Sequence, residues 1–366
     1  MSENNNAETV KKASLKREMK PIEYLGFVLV VLALIALFYF PAPVAGAFTA
    51  AAAKVKSVCF DAFLMNIVGW AIICGVILGR LMERAGFTDA LIRIFVPITQ
   101  RIGVNPAVVV PAIYHIIGDI NAAGRIAGPT VKKAGATRDE QKIAIATMVQ
   151  SQQSFSTFML GLVALTLANI NPFPLIIIAI FLPIVVVPFI LKNTIWRDTK
   201  GVPLSELPRF TPETPWMSVL FGAAKEGAEV LFLIVIPAAA AVFAIIGALE
   251  YAGIWQVIQG WITVALNAIS VDVETGTVTI LAAPTLAMGM LTKTAATIPP
   301  KMVVGSFVLA ASGFPIGVML GQIPMIWKGV SDLTEAEAAK AACLGIGMRI
   351  ITAWLVAEFL TPFIMR

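Results

Sequence analysis

Ionisable side chains inside apolar stretches are costly to bury and mark functional positions by default. Residues 103–136 carry His115, Asp119, Asn121 and Arg125 in such a stretch. His115 and Asp119 are four apart and share a helix face. Either is a candidate proton carrier, since a modest environmental shift brings such a group into the working pH range. A second stretch, 272–300, carries Lys293 with Thr292, Thr294 and Thr297 beside it. Two cations, Arg125 and Lys293, facing each other at mid-membrane suit a carboxylate or another anion. The competing reading is that each snorkels to its own surface.

A dense polar run, Gln150-Ser151-Gln152-Gln153-Ser154 with Ser156 and Thr157, interrupts the otherwise apolar segment 142–168. Interhelical hydrogen bonds account for one or two such residues, not for seven. The run is therefore a candidate solute or ion site, with Gln150, Gln152 and Gln153 on the solute. Asn121 with Ser151, Ser154 and Ser156 forms a candidate oxygen set for Na⁺. The corresponding place in 301–327 reads Ser312-Gly313-Phe314-Pro315. Pro315 frees backbone carbonyls there, and Ser312 adds a hydroxyl. Glu358 and Arg349 are nine apart in the last apolar segment, so they point in different directions and pair with other helices. Asp61 sits near a helix start as a cap. Asp61 and Asp119 are also the only pair offered to an intramembrane aspartyl protease, supported by Ile117-Gly118-Asp119 alone. No phosphate loop, metal-ligand cluster or nucleophile triad is visible, and no cofactor beyond a coupling ion is expected.

The elements that hold these residues belong to a membrane protein. Of 366 residues, 58% are hydrophobic and 13% charged, with a mean hydropathy of +0.86, well outside soluble composition. The excess of 27 Lys and Arg over 22 acids fits basic cytoplasmic loops rather than nucleic-acid binding. Cys59, Cys74 and Cys343 lie in or beside apolar runs as small hydrophobes. Residues 1–21 form a polar, basic tail, followed by a first span within 22–48. The small residues after it resemble a signal-peptide cleavage site, but the long polar head and span-length apolar run favour a retained helix. Further apolar segments lie at about 59–83, 142–168, 172–192, 226–250, 301–327 and 338–363, each long enough to cross a bilayer. The Pro-rich, basic stretch 193–225 reads as a cytoplasmic linker.

The basic head places the N-terminus in the cytoplasm, so the chain is expected in the inner membrane. Two helix exits share a motif. Glu83, Ala85 and Gly86 match Glu250, Ala252 and Gly253 at one offset. Each motif is followed by an amphipathic stretch, 86–101 or 254–268, that suits the membrane interface. The first is basic, whereas no Lys or Arg occurs between Glu226 and Thr292. The same motif on opposite faces marks an inverted repeat, 59–192 and 226–365. Segments 103–136 and 272–300 are too short and too interrupted for two crossings each, and read as re-entrant hairpins.

The order helix, interfacial helix, hairpin, broken helix, helix resembles that of the concentrative nucleoside transporters. It is carried by the Ala-Gly motifs at 85–86 and 252–253, Gly118-Asp119-Ile120-Asn121, and the break at 150–154. More closely, residues 59–365 look like the nucleoside-recognition, or gate-domain, membrane proteins. That family includes spore maturation proteins A and B and the membrane part of ferrous iron transporter B. The resemblance implies an all-α membrane fold of about seven spanning helices with two hairpins and two interfacial helices. It also implies elevator-like alternating access, with solute between the hairpin tips, and a homo-oligomer. The Gln-Thr-Glu motif that reads nucleosides is absent. Residues 103–136 hold no Glu, and Glu274 lies only at the start of the second hairpin, so nucleoside specificity is not carried over. The expected activity is secondary transport of a small polar solute, anionic or zwitterionic, coupled to Na⁺ or H⁺. Nucleoside or metal-ion transport on the same fold is the alternative, and a passive channel or protease the second.

Overall fold

Proline fixes where many of the helices begin, because its missing N–H costs nothing in a first turn. The computed structural model describes residues 19–118, 120–151, 153–204 and 206–365. Among these the regular structure is helical, apart from one isolated bridge between Ile170 and Met365. Pro21 opens α1 (Pro21–Tyr39) and Pro41 opens α2 (Pro41–Leu64). The expected first span at 22–48 therefore divides at Phe40, which leaves the helical region (φ −132°, ψ 46°) as residues before proline tend to do. The segment expected at 59–83 also divides. Asn66 caps a new helix, α3 (Ile67–Arg84), by accepting from the Ile67 N–H, and α2 and α3 meet at 52°.

Gly86 (φ 85°) then turns the chain into α4 (Phe87–Ile102), and Gly103 (φ 76°) turns it out. A first helical hairpin follows, α5 (Pro106–His115) and α6 (120–133). Next come α7 (Arg138–Ser151), α8 (Phe155–Leu167) and α9 (Pro172–Thr194). The linker is extended only as far as Pro215, where α10 (Trp216–Tyr251) begins. The sequence of elements then repeats. Gly253 (φ 74°) leads into α11 (Trp255–Ala268), and Ser270 (φ 54°) ends it. A second hairpin, α12 (Val273–Leu281) and α13 (Pro284–Thr294), precedes α14 (Pro300–Leu309), α15 (318–330) and α16 (Glu335–Ile364).

The left-handed residues Gly86 and Gly253, and Gly103 and Ser270, are each 167 residues apart. So are the hairpin caps. Asn105 accepts from the Ala107 N–H and Asp272 from the Thr275 N–H, both at 3.0 Å. Each cap's own N–H is held by the helix that follows its hairpin, α7 at Glu140 (2.8 Å) or α14 at Ser306 (3.0 Å).

Helices α1, α9, α10 and α16 are long and apolar enough to cross a membrane, and the bent pair α2–α3 passes as one span. α11 and α12 pass together only across a 110° bend, too sharp for a single crossing. Segments 142–168 and 301–327, expected as spans, are each two short helices with a break at mid-length. Large apolar side chains stay exposed along the long helices, among them Phe189, Leu233, Ile245 and Phe363, as a lipid-facing surface requires.

The centre of the molecule is an antiparallel pair. α10 runs along α2 and α3 in the opposite direction, ion-paired near both ends by Lys54–Glu250 (2.7 Å) and Arg80–Glu226 (2.6 Å). Glycines allow the approach. A Cβ on Gly227 would stand 2.9 Å from the Ile73 Cα, and one on Gly247 would stand 2.8 Å from the Ala51 Cα. Away from this pair, Asp332 joins the halves through Lys132 (2.7 Å) and Gln141 (2.9 Å). The Lys132 ammonium, then Gln141, holds its carboxyl below the usual carboxylate range.

Replacing Gly227 or Gly247 by Ala forces backbone apart and is expected to cost about 1–3 kcal/mol. Gly222→Ala and Gly260→Ala, which meet nothing within 4 Å, serve as controls. Thermal melting in detergent tests the contrast, and equal melting of all four variants would contradict the close pairing.

Candidate functional site

Both hairpin tips and both helix breaks border one cavity of about 190 Å³. Gly118 and Asn121 come from the first hairpin, and Ala283 and Thr285 from the second. Ser154 and Ser312 come from the breaks, and Arg80 and Glu226 from the central pair. α3 presents glycines to this region. A Cβ on Gly75 would stand 2.7 Å from the Ser156 Cβ, and one on Gly79 would stand 2.5 Å from the Ile117 carbonyl oxygen.

Hydroxyls connect the pieces. The Ser154 N–H donates to Ser312 Oγ (2.7 Å). Ser154 Oγ and Thr157 Oγ1 share a bond of 2.7 Å, and Thr157 shares another of 2.7 Å with Thr285. Ser156 Oγ lies 3.4 Å from Ser154 Oγ. Ser154 caps α8, and Ala283 precedes the first turn of α13. Two helix N-termini thus border the cavity, where free N–H groups and the helix dipole favour a negatively charged group.

The opposite helix ends are closed by Arg349, which is fully buried. Its Nη1 donates to the carbonyls of Gln150 (2.8 Å), Ser151 (3.3 Å) and Ala179 (2.7 Å), and its Nε donates to the Val308 carbonyl. One guanidinium therefore serves the C-terminal turns of α7 and α14, the two helices that stop at the breaks. Its expected pairing with another helix takes this form, through carbonyls rather than a carboxylate. Carbonyls that a broken helix offers to a bound cation are here occupied by the protein's own cation.

Arg80 forms the charged wall. It donates to both carboxylate oxygens of Glu226 (2.6 and 2.8 Å), to Glu83 (2.5 Å) and to Tyr114 (3.4 Å). In the sequence Glu83 marks a helix exit and Glu226 opens a cation-free stretch, and neither is assigned to a site, nor is Arg80. An arginine inside an apolar span with a glutamate three residues on was the available signal.

Of the sequence candidates, Asn121, Ser154, Ser156 and Ser312 border the cavity. Ser151 is turned into its own helix, donating to the Thr147 carbonyl (2.6 Å). Gln150 donates to Thr352 (3.1 Å), and Gln153 to the Phe307 carbonyl. Thr292 and Thr294 donate to carbonyls of their own helix. Asp119 and Gln152 lie outside the described residues. His115 is fully buried and borders none of the cavities, and neither ring nitrogen makes a well-formed hydrogen bond with a described residue. The expected pairing of Arg125 with Lys293 does not occur. Arg125 is exposed on α6, whereas Lys293 lines a second cavity. Equal counting from the Ala-Gly motifs sets position along the chain and leaves each helix's rotation open. Asp61 also lines the second cavity, not the one bordered by Gly118, and its expected capping role is not seen. Among the described residues no group of three metal-ligating side chains occurs.

Removing the guanidinium strands three carbonyls at two helix ends and the Ala179 carbonyl inside α9. Arg349→Met is expected to lose at least about 3 kcal/mol, since hydrogen bonds to a charged group are worth roughly 1.5–3 kcal/mol each. Arg349→Lys restores only part, because a point donor does not span both helix ends. Melting midpoints of the two variants against the parent give the ordering.

Comparison of the chain with protein-family models, with curated proteins and with solved structures finds no match.

Proposed function

We propose that this chain is a secondary active transporter for a small polar solute, working by elevator-like alternating access. The observation that carries the reading is the meeting of both hairpin tips and both helix breaks at one hydroxyl-lined cavity. Interrupted helices at matching places in two halves are the transporter solution for a midplane site. The antiparallel course of α10 against α2 and α3 supports an inverted repeat of the concentrative-nucleoside-transporter kind, as do the matched turns 167 residues apart.

The solute is anionic or zwitterionic. Its negative group sits at the N-termini of α8 and α13, among Ser154, Thr157, Thr285 and Ser312, with Arg80 as the nearby cation. This reassigns the role expected of Arg125 and Lys293. Na⁺ is the coupling ion, held with the solute by Asn121, Ser154 and Ser156 rather than by the α7 carbonyls that Arg349 occupies. His115 is buried and does not border the cavity, which weighs against it as a proton carrier. The chain spans the inner membrane with its N-terminus in the cytoplasm, as a homo-oligomer.

Two tests follow. In a chain lacking Cys59, Cys74 and Cys343, an impermeant maleimide applied to intact cells is expected to label Gln259→Cys and spare Gln100→Cys. Equal labelling would sink the inverted topology. Binding of radioactive Na⁺ to purified protein is expected to weaken about tenfold in Ser154→Ala, the loss of roughly 1–2 kcal/mol for one oxygen partner. Uptake into proteoliposomes that follows a pH gradient without Na⁺ would replace Na⁺ by H⁺.

A further inference from the structure

A second cavity of about 750 Å³ lies at the Lys54–Glu250 end of the central pair. Its volume falls in the range of small-molecule sites. The opposite end is covered by the linker, where Asp89 accepts from the Phe210 and Thr211 N–H groups (2.8 and 3.1 Å) and Phe210 rests on Tyr114. Among the described residues nothing comparable covers the 750 Å³ space.

Three exposed charged side chains from three helices line it together. Among the described residues outside 193–225, each carboxylate has a hydrogen-bonding or ionic partner, with two exceptions, Asp61 and Glu274. Both line this cavity, one from α2 and one from α12. Lys293, on α13, lines it too and is likewise without a partner. In the same space Lys54 and Glu250 pair with each other, and Asp272 is spent on its helix cap. Elsewhere carboxylates are met by cations from other elements, as in Lys132–Asp332, Arg138–Glu337 and Lys328–Glu335. Here two carboxylates and one ammonium, from three helices, share a concavity unpaired.

We infer that this cavity is a solute-binding site separate from the central one. Its ligand is a zwitterion carrying a second cationic group, the charge pattern of a basic amino acid. Two ammonium-type groups meet Asp61 and Glu274, and a carboxylate meets Lys293. All three contacts are charge-assisted, and together they cancel the unpaired charge of the site. Binding here does not depend on the transport reading, because it is measured directly.

The probe is L-lysine, added to detergent-purified protein while the melting midpoint is followed. The parent chain is expected to be stabilised, and succinate is expected to have no such effect. Asp61→Asn and Glu274→Gln each raise the half-maximal L-lysine concentration by about tenfold or more, the loss of one charge-assisted contact. Lys293→Gln does the same for L-lysine yet spares putrescine, which has no carboxylate. Ser312→Ala, in the central cavity, leaves the L-lysine response unchanged. Where a variant does not fold, Thr277→Cys supplies the reading, since L-lysine is expected to protect it from a water-soluble maleimide. Absence of any L-lysine effect on the parent chain overturns the inference. So does equal stabilisation by succinate, an undiminished response in the three charge variants, or its loss in Ser312→Ala. Intact L-lysine binding with failed Na⁺ binding and uptake removes the transporter reading and leaves this site standing.

Discussion

The structure depends on a solution to one problem, two helices that stop inside an apolar interior. α7 ends at Ser151 and α14 at Leu309, and each stop leaves carbonyls that neither water nor the next turn satisfies. Arg349 resolves both stops with a single guanidinium. The arrangement needs no carboxylate, because the negative ends of two helix dipoles face the cation. It also ties α7, α14, α9 and α16 into one body, so the two breaks keep their relation to each other.

That choice divides the polar ends of the broken helices between two tasks. Their C-terminal ends are consumed by structure. The N-terminal end of α8 at Ser154 is left for the cavity, as is that of the hairpin helix α13 ahead of Pro284, joined by the chain of hydroxyls from Ser312 to Thr285. A site built from N–H groups and hydroxyls at helix starts accepts negative charge more readily than one built from carbonyls. Glu83 and Glu226 complete the balance by holding Arg80 along the wall.

Much of the plan is legible in the sequence. The polar run at 150–157, the Ser-Gly-Phe-Pro segment at 312–315 and the two interrupted stretches marked the breaks and hairpins. The Ala-Gly motifs marked a spacing that the left-handed turns at Gly86, Gly103, Gly253 and Ser270 follow. These are local signals, set by proline, glycine and polarity within a few residues. The partners of Arg349, and the pairing of Arg80 with Glu226 and of Lys54 with Glu250, were not legible, because each partner lies more than 40 residues away along the chain. Lys293 stands out in the sequence as a cation at a hairpin, yet which cavity it lines depends on how α13 is rotated. Ser151 shows the same limit, since its hydroxyl turns back to Thr147 although Ser154 and Ser156 of the same polar run border the cavity.

The glycines of α3 bear on motion as well as on fit. Gly75 and Gly79 set a flat strip of backbone against Ser156 and the Ile117 carbonyl. Interlocked side chains make a corrugated boundary, and shifting one helix along another then means lifting each knob from its hole. A boundary without knobs has little corrugation, so successive positions along it differ little in energy and the barriers between them are low. Resistance to sliding is thereby low on the side of α3 that faces the cavity, whereas on its other side two ion pairs fix α2 and α3 to α10.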